Sequence, residues 1–305
     1  MKLLFFDDFK LGVLKGTDVV DVMDAVKDIP RIHPQDLIAG VIERWDEVKP
    51  RLEAAVAQGS GVPVAGVRIR PPLPRPANIV CMAVNFLEGR DQPVPINAFN
   101  KSPGAIIGNG DTMVLPDMPA QIFEGEAEMA LVIGKRARNV PQSEAMSYIF
   151  GYVNFIDGSA RGLAPQFYQV KSRETFAPIG PYLVTADEIA DPQHVQIKLW
   201  NNGQLMQDYN TDDMGHKIPR CIEFISAQHT LEAGDILALG TNHGGLNPFM
   251  DGDTIELEGE GLGRLTVTVK DDLKRTWKRE TRGERAAAGL EGFTTQLTGK
   301  YAPNA

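Results

Sequence analysis

The chain has 305 residues, 31 Lys and Arg against 40 Asp and Glu, a formal net charge of −9 and 43% apolar residues. This acidic balance argues against non-specific nucleic-acid binding, which needs clustered Lys and Arg on phosphates. Apolar runs such as Met129–Ile133 fall far short of the roughly 20 residues of a spanning helix, the opening MKLLFFDDFK has acids where a signal peptide needs an unbroken apolar stretch, and Cys81 and Cys221 make no disulfide framework.

A cytoplasmic enzyme or small-molecule binder is expected, meeting neither nucleic acid nor membrane. Its 30 Gly and 21 Pro are spread along the chain, which predicts many short strands and turns. Strand-like alternation opens at Lys2–Phe6, returns around Gly12–Leu14, and is followed by Val19–Val22. Residues 35–57 carry helical periodicity in Leu37, Ile38, Val41, Ile42, Trp45, Val48, Leu52 and Val56, with Pro50 expected to break or kink the helix.

Pro71, Pro72, Pro74 and Pro76 allow no helix. They read either as an extended linker ending a small N-terminal α/β module over 1–73, or as a Pro-rich loop inside one domain. Beyond them the texture is mostly β: Met129–Gly134, Val195–Trp200, Asp235–Leu239, Thr254–Leu257 and Leu265–Val269. Asn202-Gly203 marks a hairpin between Val195–Trp200 and Leu205–Tyr209. Helices are expected at Gln142–Phe150 and Arg220–Gln228, and the tail Asp271–Ala288 reads as helical, charged and solvated. An exposed Trp277 would be costly there, so it is expected to pack on the core or on a partner subunit.

The sharpest chemical feature is IFEGEAEMALVIGK. On a strand, Glu124, Glu126 and Glu128 point to one face, which Ala130 and Val132 continue inward. Packed inward carboxylates repel and lose hydration unless a cation joins them; a hard divalent ion would resolve this. The alternative is a strand whose acidic half stands in water. Asp157, in GYVNFIDGSARG, sits where a third ligand or an Asx-turn could lie. The histidines form no HxH or HExxH spacing, and no GxSxG, Walker A or GxGxxG motif is present. His243 lies in the Gly-rich GTNHGG, the kind of loop that lines sites.

Together these segments resemble the fumarylacetoacetate hydrolase (FAH) family. EAEMALVIGK (126–135) is similar to its E-x-E-L-x-x-V-I-G-K block. GYVNFIDGSAR (151–161) resembles G-Y-x-x-x-N-D-x-S-x-R, with Ile156 in place of Asn. KSRETFAPIGPYLVTADEIADP (171–192), FNKSPGAIIGNGDTMVLP (99–116), TLEAGDILALGT (230–241) and GDTIELEGEGLGRL (252–265) resemble further blocks, in order, over roughly 77–270. The resemblance implies a mixed β-rich α+β fold: an FAH-like rolled β-sheet core forming a catalytic domain over 74–305, with a charged extension from about 271. It also implies a homodimer and a Mg²⁺-type ion (Mn²⁺ or Ca²⁺ as alternatives) held by Glu126, Glu128 and Asp157. Lys171 falls on the family lysine that helps hold the metal, its water or the substrate. Thr241 falls on a substrate-contacting threonine, and Arg161 on an arginine beside the ligand Asp. Glu124 matches no ligand position.

Family substrates are 2-oxo or 2,4-dioxo acids that chelate the metal, and the metal stabilises the enolate. The sequence departs from the family at the proton-transfer residues. The N-Y-x-x-H-x-x-E stretch that carries a His–Glu pair reads Asn85-Phe86-Leu87-Glu88-Gly89-Arg90-Asp91-Gln92 here. Gly162 and Ala164 replace an Asp and a Gln after Arg161, and GTP has become Gly240-Thr241-Asn242. The leading expectation is a metal-dependent C–C hydrolase acting on an acylpyruvate-like 2,4-dioxo acid or β-diketone. The alternatives are an oxo-acid decarboxylase or tautomerase on the same site, or a lapsed enzyme that binds metal and oxo acid without turnover. His243 is the expected general base, with Glu88 or Asp91 as its partner.

Overall fold

The computed structural model describes residues 1–163 and 166–303. Strand is its commonest regular structure, with few helices. The largest sheet has twelve strands and is mixed. At its centre lie two long antiparallel strands, Ile122–Ile133 and Ile149–Arg161, paired along their whole length. Every residue of the first is buried, as are all but the last of the second. Their run of Val, Ile, Ala, Phe and Gly residues is the pattern of strands covered on both faces.

The sheet continues from Ile149–Arg161 through Ala177–Thr185 to Lys2–Phe6, Lys10–Lys15 and Asp18–Asp21. On its other side Ile122–Ile133 pairs with Ile236–Ala238, which lies parallel to Ile79–Met82. Residues 1–73 thus share a sheet with the later chain. They also share a core, in which Leu3, Phe5 and Leu37 pack with Ala130, Phe155 and Leu183. The proline-rich crossing is packed rather than solvated, with Pro71, Pro72 and Leu73 buried.

A second, five-stranded sheet is built from Gln204–Asn210, Gln196–Asn201, Thr254–Gly259, Gly263–Lys270 and Thr112–Val114. Its outer hairpin turns at Asn202 (φ 52°) and Gly203 (φ 77°), as the Asn-Gly pair predicts.

Several elements depart from the sequence-based expectations. The helix expected over 35–57 is two helices, Pro34–Glu43 and Trp45–Gln58. The break falls at Arg44, whose side chain bonds Asp28 and Glu47, and Pro50 is accommodated inside the second helix. Gln142–Phe150 yields only a 3₁₀ turn, Ala145–Tyr148, because Ile149 is already drawn into the central sheet. Asp157 does not end its strand: pairing runs on to Arg161, with Gly158 facing Gly125. In the tail only Arg282–Ala287 is α-helical. Before it, Arg275 is fully buried on Asp271, and a two-stranded ribbon pairs Thr276–Trp277 with Gln296–Thr298. Trp277 packs on the core: its ring meets Phe123 edge-on and Nε1 donates to Gln121 O at 2.7 Å. No helix among the described residues is long and apolar enough to cross a membrane.

Candidate active site

The register of the two central strands sets the acidic cluster. Glu126 lies directly opposite Asp157, and Glu124 opposite Ser159. With a side-chain period of two, Glu124, Glu126 and Glu128 share one face, as expected. One carboxylate oxygen each from Glu126, Glu128 and Asp157 lies within 4.8 Å of the others. All three residues are buried.

Three cations neutralise this cluster in part. Lys171, at the end of the short helix Phe167–Lys171, donates to Asp157 Oδ2 at 2.5 Å and to Glu126 Oε1 at 2.8 Å. Lys101 donates to Asp157 Oδ1 at 2.6 Å and to the Lys171 carbonyl at 2.5 Å. Arg161 bonds Glu126 through one terminal nitrogen, and its Nε donates to Glu124 Oε2 at 3.2 Å. Lys101 lies in FNKSP, whose block carried a resemblance but no assigned role. Sequence reasoning missed it because only the fold brings residue 101 to residue 157.

Glu128 has a different environment. Its Oε2 accepts from the Gly240 backbone at 2.7 Å, while its buried Oε1 has no hydrogen-bond partner among the described residues. Burial, with Asp157 and Glu126 facing it, pushes its carboxyl well above the ordinary range. Burial acts the same way on Glu126, but Lys171 and Arg161 outweigh it and hold that carboxyl below the usual range. An orphaned buried carboxylate oxygen among three converging acids fits a hard divalent cation, which takes oxygen ligands.

His243 starts a 3₁₀ turn, His243–Gly245, and lines one cavity with Glu126, Arg161, Lys171 and Thr241. Its Nδ1 lies 2.5 Å from Glu88 Oε1, which also accepts its backbone N–H at 2.7 Å. Facing a carboxylate, Nδ1 is the donor, so Nε2 is left as the proton acceptor. Burial would raise the Glu88 carboxyl, but the hydrogen bonds from the His243 side chain and backbone, with the Arg90 guanidinium nearby, hold it below its ordinary value. Glu88 takes a left-handed backbone (φ 52°), and its N–H is fixed by Asp213 Oδ2 at 3.0 Å. Glu88 therefore faces His243, while Asp91 lies exposed on the same loop and makes none of these bonds. Thr241 is buried and its hydroxyl accepts from Gln207 Nε2 at 2.8 Å. Phe99 and Phe167 stack at 4.5 Å on the cavity wall. Ala164, one of the departures from the family pattern, lies outside the described residues.

This arrangement provides an acidic pocket for a cation, fixed positive charges beside it and a carboxylate–imidazole pair at its edge. Residues 78–270 match the family of the fumarylacetoacetate (FAA) hydrolase C-terminal domain. The chain is similar to maleylpyruvate hydrolase of Aquipseudomonas alcaligenes, at 30% identity over 88% of this chain and 99% of the relative. It is also similar to the Bacillus subtilis oxaloacetate tautomerase YisK, at 34% identity over 67% of this chain and 73% of the relative. Among solved structures, maleylpyruvate hydrolase from Sphingobium sp. SYK-6, in complex with manganese(II) and pyruvate, superposes with a TM-score of 0.82. The two share 33% identity over 89% of this chain and 99% of that one. By its sequence blocks, its fold and the matched span, the chain belongs to the fumarylacetoacetate hydrolase family.

Proposed function

We propose that the protein is a divalent-metal-dependent hydrolase that cleaves a C–C bond in an acylpyruvate-like 2,4-dioxo acid. The observation that carries this reading is the Glu88–His243 pair beside the Glu126–Glu128–Asp157 cluster. The family's own His and Glu positions are Gly89 and Gln92 here. A histidine from the 240s turn and a glutamate from the same 85–92 loop supply the same two groups from different positions. This favours a working enzyme over a lapsed one.

Glu126, Glu128 and Asp157 would hold the ion, which when bound supplies an electrophile for the substrate's oxo and carboxylate oxygens. Glu88 keeps His243 in the tautomer with Nε2 free. That nitrogen takes a proton from water as the water adds to the distal carbonyl, and returns it to the carbon released when the C–C bond breaks. Lys171 keeps a positive charge where negative charge develops. Arg161 presents a guanidinium to a substrate carboxylate, and Thr241 offers a hydroxyl to the same pocket. Mg²⁺ and Mn²⁺ both suit an all-carboxylate set. A cytoplasmic homodimer in a catabolic pathway completes the proposal.

Likeness to an oxaloacetate tautomerase supports a second reading, in which the same pair moves a proton between carbon and oxygen without adding water. The test is a panel of 2,4-dioxo acids and oxaloacetate with Mg²⁺- or Mn²⁺-loaded protein, following pyruvate, CO₂ and the enol absorbance. Pyruvate plus a second acid establishes hydrolysis. Enol decay alone establishes tautomerisation, pyruvate plus CO₂ establishes decarboxylation, and no change on any substrate overturns the enzyme reading.

A further inference from the structure

The family match ends at residue 270, yet the tail beyond it reaches the site. Arg282 Nε donates to Glu124 Oε1 at 3.0 Å, and its terminal nitrogen bonds Glu124 Oε2. The same Oε2 accepts from Arg161 Nε. Glu124 is only 1% exposed, so each unmatched oxygen would be costly there. With Arg282 engaging both oxygens, Arg161 keeps a single bond to Glu124, and its far end stays on Glu126.

Arg282 is itself held firmly. Its backbone N–H donates to Leu246 O at 2.9 Å, and its guanidinium lies 5.0 Å over the Phe293 ring. Thr281 and Glu284 form a reciprocal capping box. Arg285 bonds Glu280 and the carbonyls of Glu291 and Gly292, which folds the chain back to bring Phe293 under Arg282. The next residue, Gly283, lies so close to the His243 turn that an added Cβ would sit 3.0 Å from Gly244 O. The tail therefore touches both halves of the site: the arginine beside the ligands and the turn that bears the histidine.

We propose that residues 271–303 are a positioning element of the site and that Arg282 is its positioning residue. Through Glu124 it keeps the Arg161 guanidinium spread between Glu124 and Glu126, at the cavity. This rests on the reading that Arg161 meets a substrate carboxylate. Without Arg282, both oxygens of Glu124 are open to Arg161 as a bidentate partner, and Arg161 withdraws from Glu126. Two effects of opposite sign follow. The acidic cluster loses a nearby positive charge and Glu126 loses a competitor, so a divalent cation binds more tightly. The substrate carboxylate loses its partner, so it binds more weakly.

Calorimetric titration of the full chain tests this, with Mn²⁺ first and then pyruvate added to Mn²⁺-saturated protein. In Arg282→Ala the Mn²⁺ affinity is expected to rise several-fold. Pyruvate affinity is expected to fall about 10-fold, the scale of one charge-assisted hydrogen bond. Arg282→Lys should lie between, and millimolar guanidinium should restore pyruvate binding to Arg282→Ala. Arg285→Ala, which loosens the fold-back but leaves Arg282 its bonds to Glu124, should show at most a small fraction of this opposed shift. Wild-type affinities in Arg282→Ala overturn the proposal. So does a joint weakening of both ligands that Arg285→Ala reproduces, since the tail then contributes folding alone. If wild-type protein binds Mn²⁺ but not pyruvate, the functional reading fails, and the Mn²⁺ shift alone decides the positioning role.

Discussion

The strands that bear the acidic cluster and the His243 surroundings are assembled by different physics. Glu126, Glu128 and Asp157 sit on two strands paired residue by residue and buried on both faces. Their positions follow from a period of two and one register. His243, Glu88 and Arg282 come from three segments distant in sequence, joined by a hydrogen bond from the imidazole, a left-handed residue and a tail that wraps back. The first arrangement is held by a continuous backbone ladder and by packing on both faces. The second depends on a few specific side-chain contacts and is open to substitution one residue at a time. On the proposed reading, this is how a chain keeps the cation pocket while its proton-transfer pair comes from other positions.

The hardest blow to the strand-built half is Glu126→Ala, which is expected to abolish both ion binding in Mg²⁺ or Mn²⁺ calorimetry and turnover. Equal binding by wild type and variant would show that the ligands lie elsewhere. On the loop-built half, His243→Ala should lower turnover by about 10²–10⁴-fold, the usual scale for a lost general base, while ion affinity persists. If ion binding falls as well, the two halves are not separable. Trp277→Ala removes a buried aromatic that anchors the tail to Phe123 and Gln121, and should cost about 3–5 kcal/mol in denaturant unfolding. The smallest effect concerns acid. His243 holds Glu88 below its ordinary value of 4.5, so the pair's stabilisation is full above that pH and fades as the pH falls through the depressed folded value. Glu88→Gln should remove this part of the acid-induced fall in thermal midpoint.

The same division governs what could be read from residues alone. Alternation in Glu124–Glu128 placed the acids on one inward face, and Asn202-Gly203 placed a hairpin, because both signals are local. The pairing of Glu88 with His243 was accessible only as a choice between Glu88 and Asp91, since it depends on which loop residue takes the left-handed conformation. Lys101 and Arg282 gave no local signal: each meets its carboxylate across more than fifty positions of chain. The tail misled for a related reason. Its alternating charges suggest a solvated helix, but Arg275 and Asp271 satisfy each other in the interior, and periodicity carries no trace of a buried ion pair.

The register of Ile122–Ile133 against Ile149–Arg161 also bears on how this lineage can change. Insertion or loss of one residue just before Glu128 would turn it to the opposite face, away from Asp157, and bring an apolar neighbour into its place. Length variation is thus closed to the stretch that carries the acids, Glu124–Glu128 and its partners Phe155–Ser159, while the far end of the pair carries a register shift at Val132/Ile133. The loops that carry Glu88 and His243, and the tail that carries Arg282, are under no such constraint. Inherited changes of reaction or substrate are therefore expected to accumulate in them, around an acid-bearing stretch that can mutate in side chain but not in length.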